Sequence, residues 1–348
     1  MLCGIRETLS RFLGVIQMDL NSFNGKMLFV TGATGLIGQT LIRRVLEFNR
    51  DNGGSIKVIA SVRNIEKAHG IFGEDHSEEE LSYVVSDICS IPLEDMGIDY
   101  IVHAASNTSS RSFIEKPMEI IDTAIEGTKR VLKLAEINKV SAMVYLSTME
   151  VYGTPLTDEK IDERHATNLN SMSVRSCYPE SKRMCENICV SYQKEYAVPT
   201  VVLRLTQTFG PGVQYNDGRV FAEFARCAIE GRDIVLKTKG ETKREYLHVN
   251  DAVNAIFTAL IKGRPGEAYN VANEDTYCSI YEMAELVAGR CAGGRISVQI
   301  QEEDSSKYGY APTLHMNLDT SKLRSLGWMP EHDLEETFRD MIADMLCC

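Results

Sequence analysis

Met27-Leu-Phe-Val-Thr31-Gly32-Ala-Thr34-Gly35-Leu36-Ile37-Gly38 is the stretch on which the reading of this chain turns. Five mostly apolar residues form a short strand, glycines recur every third position, and a helix follows with Leu41, Ile42, Val45 and Leu46 on one side. Glycine lets the chain turn tightly and lets backbone N–H groups approach a pyrophosphate at the positive end of a helix. Gly32, Thr34, Gly35, Leu36, Ile37 and Gly38 are therefore candidate dinucleotide contacts. The spacing is Gly-x-x-Gly-x-x-Gly rather than the commoner Gly-x-Gly-x-x-Gly.

Outward from this turn, strand and helix patterns alternate. A second strand, Ile56 to Ala60, is expected to end near the adenosine ribose, where Ser61-Val-Arg63 replaces the usual acidic residue. A small polar residue followed by arginine suits a 2′-phosphate, so the local chemistry leans from NAD towards NADP. Strands at Tyr83–Val85 and Ile98–His103 run into Asp87-Ile88 and Ala104-Ala105-Ser106, further cofactor-lining candidates. Small residues at a strand's carboxyl end leave room for a cofactor across the sheet edge, and His103 reads as a packed strand-end residue. A helix from Pro117 to Asn138 leads to the strand Ala142–Ser147. This rhythm predicts an α/β fold, a Rossmann-type doubly wound parallel sheet with right-handed crossovers. The expected division is an N-terminal extension (1–24), a dinucleotide-binding domain (25–204, with returning segments near 244–275) and a smaller substrate lobe (205–348).

The 348 residues carry a net charge of −12, which argues against a nucleic-acid partner. Ten cysteines without metal-ligand or Cys-x-x-Cys spacing read as reduced residues of a cytoplasmic protein, and no metal cluster is predicted. Ile5, Leu9, Phe12, Leu13 and Ile16 give an amphipathic helix too short and too charged to span a bilayer. It is expected to pack on the body or a neighbouring subunit. No lipidation is read into Cys347-Cys348, because no polybasic stretch precedes it.

The chemistry-bearing stretch is Tyr178-Pro-Glu-Ser-Lys182, with Ser147-Thr148 behind it. A tyrosine and lysine four residues apart share one helix face. The ammonium is expected to depress the phenol pKa, making it an acid/base near neutral pH.

Gly-x-x-Gly-x-x-Gly, His103-Ala-Ala-Ser106, Ser147-Thr-Met-Glu-Val-Tyr-Gly153, Tyr178-x-x-x-Lys182 and Phe209-Gly-Pro211 occur in this order. Together they resemble the extended short-chain dehydrogenase/reductase family of nucleotide-sugar epimerases, dehydratases and decarboxylases. Cys177-Tyr-Pro-Glu-Ser-Lys-Arg183 and Asn216-Asp-Gly-Arg-Val220 resemble the UDP-glucuronate decarboxylase branch. The resemblance implies a nicotinamide cofactor and a nucleotide-sugar substrate oxidised at C4. Tyr178 would take the hydroxyl proton, Lys182 would lower its pKa and hold the nicotinamide ribose, and Thr148 would bond the same oxygen. Glu150 matches a glutamate of the decarboxylase and dehydratase branches. Glucose-type dehydratases have an aspartate before it that protonates the leaving hydroxyl; Met149 stands here and donates no proton. Gln207 replaces a usual asparagine, and Ala124 another. Arg219 and Arg244 are candidates for the diphosphate or a sugar carboxylate, with Ser106, Thr148 and Gln207 as further substrate contacts. A homodimer is a family expectation. The alternatives are a 4-epimerase, a 4,6-dehydratase and, remotely, a non-catalytic dinucleotide-binding regulator.

Overall fold

The computed structural model describes residues 20–73, 76–166, 168–302 and 313–347; the expected helix at 5–16 and the final Cys348 lie outside them. The first half supplies β1 (Met27–Thr31), β2 (Lys57–Val62), β3 (Leu81–Val85), β4 (Tyr100–His103), β5 (Ala142–Thr148) and β6 (Thr200–Leu205). The second half adds β7 (Gln207–Phe209), β8 (Ile234–Leu236), β9 (Lys243–His248), β10 (Ala268–Val271), β11 (Asn273–Ser279), β12 (Val298–Ile300) and β13 (His315–Met316).

Seven strands pair in the order β10-β6-β5-β4-β1-β2-β3, all parallel. The doubly wound sheet expected from the sequence is present. Its central strands are apolar because both faces are covered. Leu28 and Val30 of β1 face the core shared with helices Leu36–Asn52 and Val249–Lys262. Phe29, between them, points to the core shared with helices Pro117–Asn138 and Cys177–Tyr196. The chain runs from β1 to β2 and β3 on one side, then crosses to β4 on the other. The crevice at this reversal opens at the strands' carboxyl ends, where the glycine turn and Ala104-Ala105 lie.

A second sheet centres on β9, antiparallel to β11 and parallel to β7 and β13, and β8 pairs with β12. Its core is aromatic: Phe209 stacks on Phe221 at 4.6 Å and meets Phe338 edge-on at 4.9 Å.

Local chemistry sets the helix limits. Pro117 opens its helix where an N–H is dispensable, and Gly53 ends the Leu36 helix at φ 64°. Pro179 is tolerated because it falls in the first turn of its helix. β2 continues past the expected Ala60 to Val62, so Ser61 is a buried strand residue and Arg63 is the exposed one just past the strand. Farther on, the chain is α-helical from Ile280 to Leu286 and widens into a π turn over Val287–Cys291.

The helix carrying Tyr178 is tied to the end of β5 by buried polar bonds. Lys182 Nζ donates to the Leu146 carbonyl at 2.7 Å, and Ser147 Oγ donates to Glu186 at 2.5 Å. Glu186 also accepts from Arg204 Nε and Nη2, while Arg204 Nη1 donates to the Tyr152 hydroxyl and the Glu163 carbonyl. Tyr152 in turn donates to Asn270 of β10. Arg204→Met strands a buried carboxylate and is expected to cost about 3–5 kcal/mol in denaturant unfolding, with Arg204→Met/Glu186→Leu losing less. A single variant as stable as the wild type would show that the pair constrains nothing. In the glycine turn, a Cβ on Gly38 would lie 2.3 Å from the Gly32 carbonyl oxygen, whereas one on Gly70 meets nothing within 4 Å. Thermal melts should therefore show Gly38→Ala lowered and Gly70→Ala unchanged or raised, the latter by about 0.5–1 kcal/mol of helix propensity.

Candidate active site

Thr148 is the last residue of β5 and caps the short turn Met149–Tyr152 by accepting from the Glu150 N–H at 3.3 Å. Tyr178 lies opposite, in the first turn of its helix, stacked on Phe113 at 4.4 Å between ring centroids. Burial pushes the Tyr178 pKa well up, and the Glu150 carboxylate raises it further; the Thr148 hydroxyl and the Arg175 guanidinium pull it down. A base in this position needs cationic help to ionise near neutral pH.

The sequence assigned that help to Lys182, which lies one helical turn beyond Tyr178. Its ammonium is turned to the Leu146 carbonyl and lies 4.8 Å from the centre of the Tyr145 ring. Burial pulls its own pKa down to about 8, so it holds its proton loosely. A second cation that lowers the Tyr178 pKa is Arg175, which sequence reasoning missed. It belongs to the short turn Val174–Ser176, outside the helical period that singled out Tyr178 and Lys182. Its only sequence signal was a cation three residues ahead of the tyrosine.

Arg175 Nη1 donates to Glu150 Oε2 at 2.8 Å and Nη2 to Oε1 at 3.4 Å. Both side chains are about a quarter exposed and line a cleft of ≈ 210 Å³ with Met149, Pro179, Arg244 and Met316. A larger cleft of ≈ 540 Å³ runs past Glu163, Glu180, Arg183 and Arg204, behind the Tyr178 helix. Neither cleft is lined by Thr148 or Tyr178 themselves, but the smaller one is lined by their chain neighbours Met149 and Pro179 and holds Glu150 and Arg175, the two charged groups that shift Tyr178.

The other candidates divide. Gln207 and Arg244 come together, Arg244 Nη1 donating to Gln207 Oε1 at 3.3 Å. Arg219 does not join them: it pairs with Asp217 at 2.6 Å and lies over the Phe221 ring at the start of helix Val220–Glu230. Met149 is buried and accepts from the Thr206 hydroxyl at 3.3 Å. Ala124 sits in helix Pro117–Asn138, its carbonyl accepting from Cys185 Sγ.

On the cofactor side, a Cβ on Gly32 would fall 2.7 Å from the Ala104–Ala105 backbone. Gly35 caps the Leu36 helix without a side-chain bond, leaving Thr34, Ile37 and the helix start open to a phosphate. This cradle suits a dinucleotide. Thr31, His103 and Thr128 brace it from within: Thr31 Oγ1 lies 2.8 Å from His103 Nδ1, whose other nitrogen is 3.2 Å from Thr128. Burial lowers the His103 pKa to about 3, so it is a neutral packed residue. Asp87 is exposed and caps the turn that begins at Ile88, and Ser106 is exposed beyond Ala105.

No metal site was expected from the sequence, yet His248, His332 and Asp340 bring ligand atoms within 4.8 Å of one another. His248 Nδ1 accepts the Asn250 N–H, so the neutral ring carries its proton on Nε2, facing Asp340 at 3.5 Å.

Comparison with known proteins places this geometry. The sequence model of the NAD dependent epimerase/dehydratase family matches residues 28–272. UDP-glucuronic acid decarboxylase 1 of Xenopus tropicalis is 30% identical over 325 residues, covering 91% of this chain and 71% of that protein. A dTDP-glucose 4,6-dehydratase of Escherichia coli is 27% identical, covering 88% and 90%. Among solved structures, a UDP-glucuronic acid 4-epimerase from Bacillus cereus in complex with NAD shares the fold, with a TM-score of 0.73, 20% identity and coverage of 92% and 99%. The family match spans well over half of the chain and coincides with the sheet, the glycine turn and the Thr148–Tyr178 crevice. This protein therefore belongs to the NAD dependent epimerase/dehydratase family.

Proposed function

We propose that this enzyme decarboxylates a nucleotide-linked uronic acid, with UDP-glucuronate as the model substrate, through a 4-keto intermediate. The observation that carries this reading is the cleft beside Tyr178, where among the described residues Arg175 and Arg244 outnumber the single carboxylate Glu150 in a chain of net charge −12. The nicotinamide cofactor, when bound, accepts a hydride from sugar C4 and returns it. Tyr178 removes the C4 hydroxyl proton, and Thr148 donates a hydrogen bond to the same oxygen. Lys182, one of whose N–H bonds goes to the Leu146 carbonyl, would support the nicotinamide ribose. The 4-ketone makes the acid group a β-keto acid: the C5–C6 bond breaks, carbon dioxide leaves, and the electron pair passes into an enolate whose oxygen faces Tyr178 and Thr148. C5 then takes a proton from water, and Tyr178 returns its own proton to O4 as the ketone is reduced.

Dehydration is disfavoured because Met149 has no proton to give, and a pure sensor would not need Thr148, Tyr178 and Lys182 together. Epimerisation uses the same three residues and is the second reading. Arg63, exposed past β2, is the residue that would hold a 2′-phosphate if the cofactor is NADP. A homodimer is supported by exposed Met118, Met184 and Val190 on the helices Pro117–Asn138 and Cys177–Tyr196. A reducing cytoplasmic setting is supported by eight described cysteines, all free. Among the described residues no helix is long and apolar enough to cross a membrane.

Incubation with UDP-glucuronate should give a product lighter by carbon dioxide on mass spectrometry, with UDP-glucose as control. Unchanged mass with a new retention time would replace decarboxylation by epimerisation. Glu150→Gln removes the negative charge that raises the Tyr178 pKa, so the rise of C4 oxidation rate with pH should move to lower pH. A shift to higher pH would refute the electrostatic assignment.

A further inference from the structure

Arg175 and Arg244 share one unusual feature. Among the described residues the Nε–H of each is buried with no hydrogen-bond partner, and both side chains line the same ≈ 210 Å³ cleft. A buried donor left unpaired is costly, and such a group in a folded protein calls for an explanation. Glu150 occupies the Nη1–Nη2 end of Arg175, leaving the Nε edge, the other side on which a guanidinium can grip a carboxylate by two parallel bonds. Among the described residues the rest of the cleft offers no second anion: Met149, Leu314 and Met316 are apolar, and Asn168 and Asn170 are neutral amides.

We propose that Arg175 is a specificity residue for the acid group of the sugar. Its Nε edge binds the C5 carboxylate of a nucleoside-diphosphate uronic acid while its Nη end stays on Glu150. This rests on the substrate class proposed above and adds a residue and a division of labour to it. Glu150 then has two roles. It keeps Arg175 in place when the cleft holds no sugar, and it shares the positive charge, so the carboxylate is recognised without being held against its departure. Once carbon dioxide has left, the sugar has no group for the Nε edge, which favours release of the product over the substrate.

The test is titration calorimetry of the NAD-loaded protein with UDP-glucuronate and with UDP-xylose, the same nucleotide sugar lacking the acid group. Arg175→Gln should weaken UDP-glucuronate roughly tenfold or more while UDP-xylose changes less than about twofold. Arg175→Lys, which keeps the charge but loses the planar fork, should fall between wild type and Arg175→Gln. Equal weakening of both ligands would make Arg175 a structural support of Glu150, and unchanged binding of both would make it idle; either result overturns the proposal. The outcome is separable from the proposed reaction. If the wild type leaves the substrate mass unchanged but its hold on UDP-glucuronate depends on Arg175, decarboxylation fails and this inference stands. If carbon dioxide is lost and Arg175→Gln binds both ligands as before, the reverse holds.

Discussion

The structure depends on the tether between the end of β5 and the Tyr178 helix. Two bonds cross that joint, Lys182 Nζ to the Leu146 carbonyl and Ser147 Oγ to Glu186. They fix consecutive residues of the strand to residues one turn apart on the helix. Thr148 and Tyr178 belong to those same two elements, so their spacing follows from the tether. Arg204 then holds Glu186 from β6 and extends the restraint through Tyr152 to Asn270 on β10. Buried charges are poor sources of stability, but a fully bonded set has few alternative arrangements. Precision of placement is what proton transfer requires.

Lys182 joins in holding the joint by giving one of its three N–H bonds to the Leu146 carbonyl at 2.7 Å. Around Tyr178 the Glu150 carboxylate raises the phenol pKa, while the Thr148 hydroxyl and the Arg175 guanidinium lower it. Because Glu150 and Arg175 are also paired with each other, whatever binds Arg175 alters the balance felt by Tyr178. The acid group of a substrate and the ionisation of the base are thereby coupled through one guanidinium.

Much of this was legible in the sequence where the signal was local. The glycine turn, the continuous apolar strands and the helix Pro117–Asn138 follow from spacing and from backbone chemistry, and the helix begins and ends where its proline and apolar pattern place it. Tyr178 and Lys182 were found because four residues make one helical turn. What escaped had no periodic signature. Arg175 sits in a short turn before the helix, and its partner Glu150 is 25 residues away. The partner of Lys182 is a backbone carbonyl, which no side-chain pattern announces. Arg219 looked like an anion contact by its motif, and its Nε and Nη2 are paired with Asp217, two residues away. The end of β2 depended on pairing with β1 and β3, which only the assembled sheet supplies.

The central claim is that the Thr148–Tyr178 joint runs a reversible oxidation of a nucleotide-sugar hydroxyl. Rapid mixing of the cofactor-loaded enzyme with UDP-glucuronate, followed by the near-ultraviolet absorbance of reduced nicotinamide, tests it directly. The account predicts a rise and return of that absorbance with no net cofactor consumed, and no rise in Tyr178→Phe. An enzyme that turns over without the transient, or a Tyr178→Phe variant that shows it undiminished, would contradict the account.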